Sequence, residues 1–247
     1  MQTGTTRSAD GLTLHTYQSL PEGQPRGVVY LVHGIAEHVG RYAHVAAFLN
    51  QRGYAFYGHD HRGHGRSEGE RVYFDSFDQP VNDLKARVDA VRALHTGVPF
   101  FIYGHSMGAL ISTLFVERHP EGLTGFISTG VPLTISETVP GPVQAVLRQL
   151  AKVVPKLGVL PVNSSTISQD PAIVADYDSD PLNVRTRTKL GMAIRMVEAS
   201  EAAQAGLGKI ALPLLVIHGE VDKLVPLSGS KMLYERAGSA DKHLSVY

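Results

Sequence analysis

The sequence predicts an α/β fold, a mostly parallel central sheet flanked by helices, with a helical insertion late in the chain. Three observations carry that expectation. Apolar runs recur at Val28-Val29-Tyr30-Leu31-Val32, Tyr54-Ala55-Phe56-Tyr57 and residues 98–103, near-continuous rather than alternating, as strands buried on both faces are. Helix-length stretches separate these runs, the rhythm of a parallel sheet built by crossovers. Between Val131 and Gly208 the strand rhythm stops, while prolines from Pro132 through Pro161 to Pro181 punctuate helical pieces.

In chain order, residues 11–17 alternate like an edge strand, and Pro21 to Pro25 reads as a loop. A helix is predicted from Arg41 to Arg52, closed by Gly53, and another from Pro80 to His95. Residues 109–118 form a third helix, followed by a strand at 125–129. Strands resume at 212–217 and 243–247. The expected organisation is a core of residues 1–130 and 209–247 with a cap of residues 131–208 inserted between its halves. Within that cap, residues 143–157 place Val146, Leu150 and Val153 on one helical face, and Arg148, Lys152 and Lys156 on another. Such a helix rests on a membrane surface, covers an apolar mouth, or simply packs on the core.

Composition excludes several classes. Lys+Arg and Asp+Glu both number 23, so no net field draws the chain to nucleic acid. No cysteine is present, which removes disulfide and thiolate chemistry. The first ten residues lack an apolar leader, and no run approaches the roughly 18 apolar residues of a spanning helix. A cytoplasmic protein, peripheral at membranes at most, is expected.

The chemistry centres on Gly104-His105-Ser106-Met107-Gly108, set between an apolar run and a helical stretch. A G-x-S-x-G in that context predicts a sharp strand-to-helix turn that exposes the Ser106 hydroxyl as a nucleophile. A serine needs a histidine to take its proton and a carboxylate to orient that histidine. Asp222 follows the strand at 212–217 and is the expected acid, with Glu220 the near alternative. The oxyanion of the reaction requires two amides: Met107, next to the nucleophile, and Ile35, in the His33-Gly34-Ile35 loop after an early strand. His33 is expected to hold that loop by hydrogen bonding. A rival constellation, His59-Asp60-His61-Arg62-Gly63-His64, has the spacing with which some hydrolases collect a metal. Gly63 stands where those enzymes place an aspartate, so a hydrogen-bonded structural loop is expected, with no metal and no cofactor.

The residues at 33–42, 59–69, the serine turn and Tyr177-Asp178-Ser179-Asp180-Pro181-Leu182 together resemble the monoacylglycerol lipases, which have the α/β-hydrolase fold. The resemblance spans nearly the whole chain. It implies hydrolysis of a monoacylglycerol, or another small lipid ester, to fatty acid and glycerol through an acyl-enzyme, without a cofactor. It assigns Ser106 and Asp222 to catalysis and Glu37, Arg41 and Tyr177 to the glycerol hydroxyls. In those lipases the catalytic histidine sits in a G-x-x-H turn just past the last strand, whereas this sequence stops at Tyr247. His243 is the one histidine after Asp222, but it begins a strand rather than ending one. The chain as it stands is therefore expected to be inactive. A broader carboxylesterase or lysophospholipase, and a catalytically silent binding protein of the same fold, are the competing expectations.

Overall fold

A computed structural model describes residues 1–160 and 163–247; Pro161 of the punctuating prolines, with Val162, lies outside the described residues. The sheet has eight strands in the order β1-β2-β4-β3-β5-β6-β9-β10. They span Gln2–Arg7 (β1), Thr13–Ser19 (β2), Gly27–Val32 (β3), Tyr54–His59 (β4), Phe100–His105 (β5), Gly125–Thr129 (β6), Leu214–His218 (β9) and Lys242–Val246 (β10). From β4 to β10 every neighbouring pair is parallel, while β1 and β2 are antiparallel additions at one side.

The parallel part follows the apolar runs because its central strands are covered on both faces, all of β3 being buried, whereas β10 at the edge is only partly covered. One expected feature is corrected: residues 13–19 are not an edge, since β1 pairs outside them. The burial pattern of β1 explains why it left no trace in the sequence. Its residues are almost all exposed, so no apolar alternation marks them.

Helices α1 (Ala43–Asn50), α2 (Asp78–Leu94) and α3 (Met107–Arg118) connect the parallel strands. The first is shorter than residues 41–52, because Val39–Tyr42 winds as a tighter 3-10 turn. Every residue of α3 from Met107 to Val116 is buried, the signature of a helix enclosed on all sides rather than resting on a surface. After β9, a helix α7 (Leu227–Arg236) carries the chain back to β10.

The segment between β6 and β9 holds α4 (Gly141–Val153), α5 (Pro171–Ser179) and α6 (Leu190–Gly206). It also contains a two-stranded antiparallel ribbon, β7 (Gly158–Leu160) with β8 (Thr188–Lys189), where no strand was expected. α6 sends Met192, Met196, Ala199 and Ala203 into the main core. The apolar side of α4 does the opposite: Val146 is 67% and Val153 79% exposed. Core packing engages only its other flank, through Ala151 and Leu147 against Leu190 and Ile194. The basic stripe is also less free than its spacing suggests, for Arg148 pairs with Glu198 and Glu201, and Lys156 with Glu70.

Candidate active site

Ser106 stands between β5 and α3 at φ 53° and ψ −122°, left-handed backbone that a residue with a side chain rarely adopts. The surroundings force it there. A Cβ on Gly104 would lie 2.6 Å from the Ala109 Cα, and one on Gly108 only 2.0 Å from the Val32 carbonyl oxygen. Both glycines are thus required by backbone that cannot yield. The Ser106 N–H donates to the Thr129 carbonyl at 2.8 Å, which ties the turn to the end of β6. His105 braces the same junction: Thr129 Oγ1 donates to the Gly104 carbonyl and accepts the His105 Nδ1–H at 2.9 Å.

The loop after β3 runs beside this turn, and a Cβ on Gly34 would come within 3.2 Å of the Ser106 Cβ. The Gly34 N–H donates to Glu37 Oε1 at 2.6 Å, and Ala36 adopts φ 63°. Neither the Ile35 amide nor the Met107 amide, the two expected oxyanion donors, finds an acceptor among the described residues. For Met107 that is the ordinary state of a first-turn helix amide.

Asp222 lies beyond the end of β9. Its Oδ1 accepts two backbone amides, Leu224 at 2.8 Å and Val225 at 3.0 Å, which fix the carboxylate. Its Oδ2 faces Gly130, 3.9 Å from where a Cβ would stand, and the His105 ring faces the same point at 4.0 Å. Ser106, Gly130 and Asp222 therefore follow the carboxyl ends of β5, β6 and β9, neighbours in the sheet, where parallel sheets collect their sites. The rival carboxylate Glu220 is exposed, and its backbone N–H is bound to the Tyr247 carbonyl. His218 buttresses the acid loop, with Nε2 donating to the Val225 carbonyl at 3.0 Å and lying 3.6 Å from Asp222 Oδ2. His243 sits opposite Leu215, whereas Val246 is level with His218. Those three steps separate it from the carboxyl end of the strand by roughly 10 Å.

Glu37, Arg41 and Tyr177 come together as the sequence suggested. The buried Glu37 carboxylate accepts from Tyr42 Oη at 2.7 Å and from Arg41 at 2.5 Å, and the Arg41 guanidinium lies 4.9 Å over the Tyr177 ring. Burial first, then the Glu37 charge, pushes the Tyr177 hydroxyl up to about 12. That hydroxyl donates to the Ala36 carbonyl at 3.1 Å, so Tyr177 also fastens the loop beside Ser106. Two further ties escaped sequence reasoning: Val184 N–H to the same carbonyl at 2.9 Å, and His38 Nε2 with Asp180 Oδ2 at 2.8 Å. Both His38 and Asp180 stand in the motif strings, yet nothing local announces that residues 142 positions apart will meet.

The histidine-rich run is wired as a structural loop. Asp60 accepts from the Val39 and Arg66 amides and from Tyr17 Oη, and Arg62 is held by Asp83 and Asp10. Burial lowers His59 to about 3 and His64 to about 4, and takes His33 and His61 well below their ordinary range. Among the described residues, no group of His, Asp or Glu converges to hold a metal ion.

Over residues 23–247 the sequence matches the family described as "Serine aminopeptidase, S33". It is 36% identical to the monoacylglycerol lipase of Mycolicibacterium smegmatis, across 92% of this chain and 81% of that one. It is 34% identical to the human monoglyceride lipase, across 97% and 80%. Among solved structures, the monoacylglycerol lipase of Paleococcus ferrophilus superposes with a TM-score of 0.81 at 27% identity, covering 94% of this chain and 88% of that one. A soluble variant of the Saccharomyces cerevisiae monoglyceride lipase, in complex with a substrate analog, gives 0.84 at 24% identity, covering 100% and 85%, a likeness of fold.

Proposed function

The chain belongs to the serine aminopeptidase family of α/β-hydrolases, and on that premise we propose that it hydrolyses monoacylglycerols to fatty acid and glycerol through an acyl-enzyme on Ser106. The observation that carries the proposal is the Ser106 turn itself, strained, glycine-flanked, and set against two amides that find no acceptor among the described residues. Ser106 Oγ attacks the ester carbonyl while its proton passes to a histidine base, which in the lipases this chain resembles sits in a turn past the last strand and is none of the histidines placed above. The new oxyanion takes the Ile35 and Met107 amides. The base then returns its proton to the glycerol oxygen as the C–O bond breaks, and water repeats the sequence to release the fatty acid. Asp222 is read as the acid that orients the base, its Oδ2 being the oxygen left to face Gly130 after two amides claim Oδ1. His243 is placed too far down β10 to be that base.

Glu37, Arg41 and Tyr177 are read as the end that receives the glycerol hydroxyls. The side chain of Arg41 is 22% exposed, and its guanidinium has donors beyond the one given to Glu37. Residues 131–208 act as the cap, and the apolar side of α4, Val146 with Leu150 and Val153, rests against the lipid surface that supplies the substrate. Because two of the three cations of its stripe, Arg148 and Lys156, are paired with acids, that contact is mainly apolar rather than electrostatic. Among the described residues no helix is long and apolar enough to cross a membrane.

In a protein that carries the histidine base together with this chain, a fluorophosphonate should label Ser106, and Ser106→Ala should abolish both labelling and glycerol release while keeping the melting temperature. Labelling elsewhere, or turnover by a folded Ser106→Ala protein, would sink the assignment. Asp222→Asn should lower kcat about 10⁴-fold. Arg41→Ala should raise KM for monoacylglycerol about tenfold and leave a nitrophenyl ester, which has no glycerol, unchanged.

A further inference from the structure

We propose that β1 is a self-pairing edge: two copies of the chain join by antiparallel pairing of their Gln2–Arg7 strands, two-fold symmetric about Thr5, so that the two sheets run on as one. The inference goes beyond the hydrolase reading, and its test reads assembly alone.

The direction of the backbone groups in β1 follows from those of β2. The Thr13 and His15 carbonyls accept the Glu68 and Asp60 N–H at 2.9 Å each, and the His15 N–H donates to Ser67 Oγ at 2.8 Å. These residues of β2 thus turn their N–H and C=O toward the β4 side. Backbone direction alternates along a strand, so Leu14, Thr16 and Gln18 turn theirs toward β1, where they stand opposite Thr6, Gly4 and Gln2. Gln2, Gly4 and Thr6 are therefore bonded to β2, whereas Thr3, Thr5 and Arg7 point their N–H and C=O away from the sheet. β1 is the last strand on its side, and among the described residues these outward groups meet no backbone partner.

An open edge is not by itself a docking site, because sheets ordinarily carry devices that refuse a further strand. This one lacks them. Its register with β2 is unbroken over all six residues, so no bulge twists the edge away. The strand holds neither lysine nor proline. Nothing covers it either, since every residue of β1 except the half-buried Thr6 is exposed. Three threonines among the six favour extended backbone as well.

The occupant is a second copy because the strand is its own complement. Outward residues can exchange hydrogen bonds only with outward residues, and the antiparallel register that engages all three sets Thr5 against Thr5 and Thr3 against Arg7 at either end. Three such pairs exchange about six N–H to C=O bonds. The side chains agree with that register. Thr5 meets Thr5, a favourable hydroxyl pair, and on the other face Gly4 meets Thr6. Arg7, the one charge in the strand, faces Thr3, and the two arginines stand at opposite ends of the seam, so no like charges oppose each other. A single strand pair buries less than the roughly 1,200 Å² of a stable complex, which makes this a weak dimer, with a Kd on the order of 10–100 µM.

Sedimentation of the untagged full chain from about 5 to about 500 µM should show a monomer and dimer in equilibrium. Thr5→Pro deletes one outward N–H and leaves the ladder with β2 intact, so it should weaken the dimer at least about 30-fold while the melting temperature of dilute protein moves by about 2 °C or less. The chain has no cysteine, which makes an introduced thiol a unique probe. Thr5→Cys should cross-link to its own copy on mild oxidation, because the Cα atoms of a hydrogen-bonded pair lie about 5.5 Å apart, within disulfide range. Thr3→Cys sets the two thiols roughly 13 Å apart and should stay uncoupled. Thr3→Glu faces Arg7 of the second copy at both ends of the seam and should tighten the dimer about fivefold at low salt. A chain still monomeric at about 500 µM overturns the proposal. So does a dimer indifferent to Thr5→Pro, cross-linking as fast through Thr3→Cys as through Thr5→Cys, a Thr3→Glu dimer no tighter than wild type, or open-ended aggregates in place of a dimer. If Thr5→Pro does not fold, the two cysteine variants decide.

Discussion

Helices α3 and α4 are nearly equal in length, 12 and 13 residues, and both are rich in aliphatic side chains, yet the fold treats them as opposites. α3 is enclosed by the sheet, α2 and α6, and its first turn cannot move without breaking backbone contacts at Gly104 and Gly108. α4 turns an apolar side to the outside and is fastened along one flank. The difference teaches where precision is needed. On the proposed function, the group that attacks must be held to a fraction of an ångström, while a surface that would meet lipid needs only area and apolar character.

The comparison is broken most forcefully at the start of α3. Gly108→Ala places a methyl 2.0 Å from the Val32 carbonyl and 2.4 Å from that of His33. Relief requires parting β3 from α3, at about 3 kcal/mol or more, or roughly 10 °C in melting temperature, with loss of activity. Thermal unfolding of the variant measures this, and a drop of about 2 °C or less would mean the elbow is far softer than its contacts imply.

The equivalent insult to α4 should be nearly silent in stability. Replacing Val146, Leu150 and Val153 with serine removes apolar surface that is largely exposed, so the melting temperature should move by about 2 °C or less. Binding to neutral phosphatidylcholine vesicles should weaken about 100-fold, if each side chain gives up a good part of its transfer free energy. Turnover of long-chain monoacylglycerol should fall with it while a short soluble ester is unaffected. Equal losses on both substrates, or a large thermal shift, would make these residues ordinary packing.

The same contrast explains what the sequence could and could not reveal. The Ser106 turn was legible because its requirements are local: an apolar run, two glycines, a helix, all within about twenty residues. The parallel strands were legible because double-sided burial leaves continuous apolar runs. β1 was not, since an exposed antiparallel strand of Gln, Thr, Gly and Arg carries no apolar pattern. Nor was the β7 and β8 ribbon, whose pairing is fixed by tertiary contact between very short segments. For α4 the pattern showed that one side is apolar but not what covers it. The polar cluster around Glu37 was found by resemblance, yet its second use, clamping Gly34 and Ala36 from loop and cap together, depends on contacts from Tyr177 and Val184 that no spacing reveals.

A smaller effect tests the far end of α3, where enclosure reaches an ionisable group. Glu117 packs against α6 so closely that a Cβ on Gly206 would lie 2.4 Å from its Oε2. Burial raises its pKa to about 7, against the opposing pull of Arg118 and Lys209. The sign follows from the folded value lying above the unfolded one. Glu117 holds a proton in the folded state that it gives up on unfolding, so its contribution to stability is full below about pH 4.5 and is lost as pH rises through about 7. Glu117→Gln, which stays neutral, removes that dependence. Relative to wild type it should be more stable at pH 8 than at pH 5, by a difference smaller than the Gly108→Ala loss, because the carboxyl is only partly buried. Chemical denaturation at the two pH values reads the difference directly. A gap that is absent, or that favours the variant at pH 5, would mean that Glu117 is ionised in the fold and that the enclosure of α3 ends before its last turn.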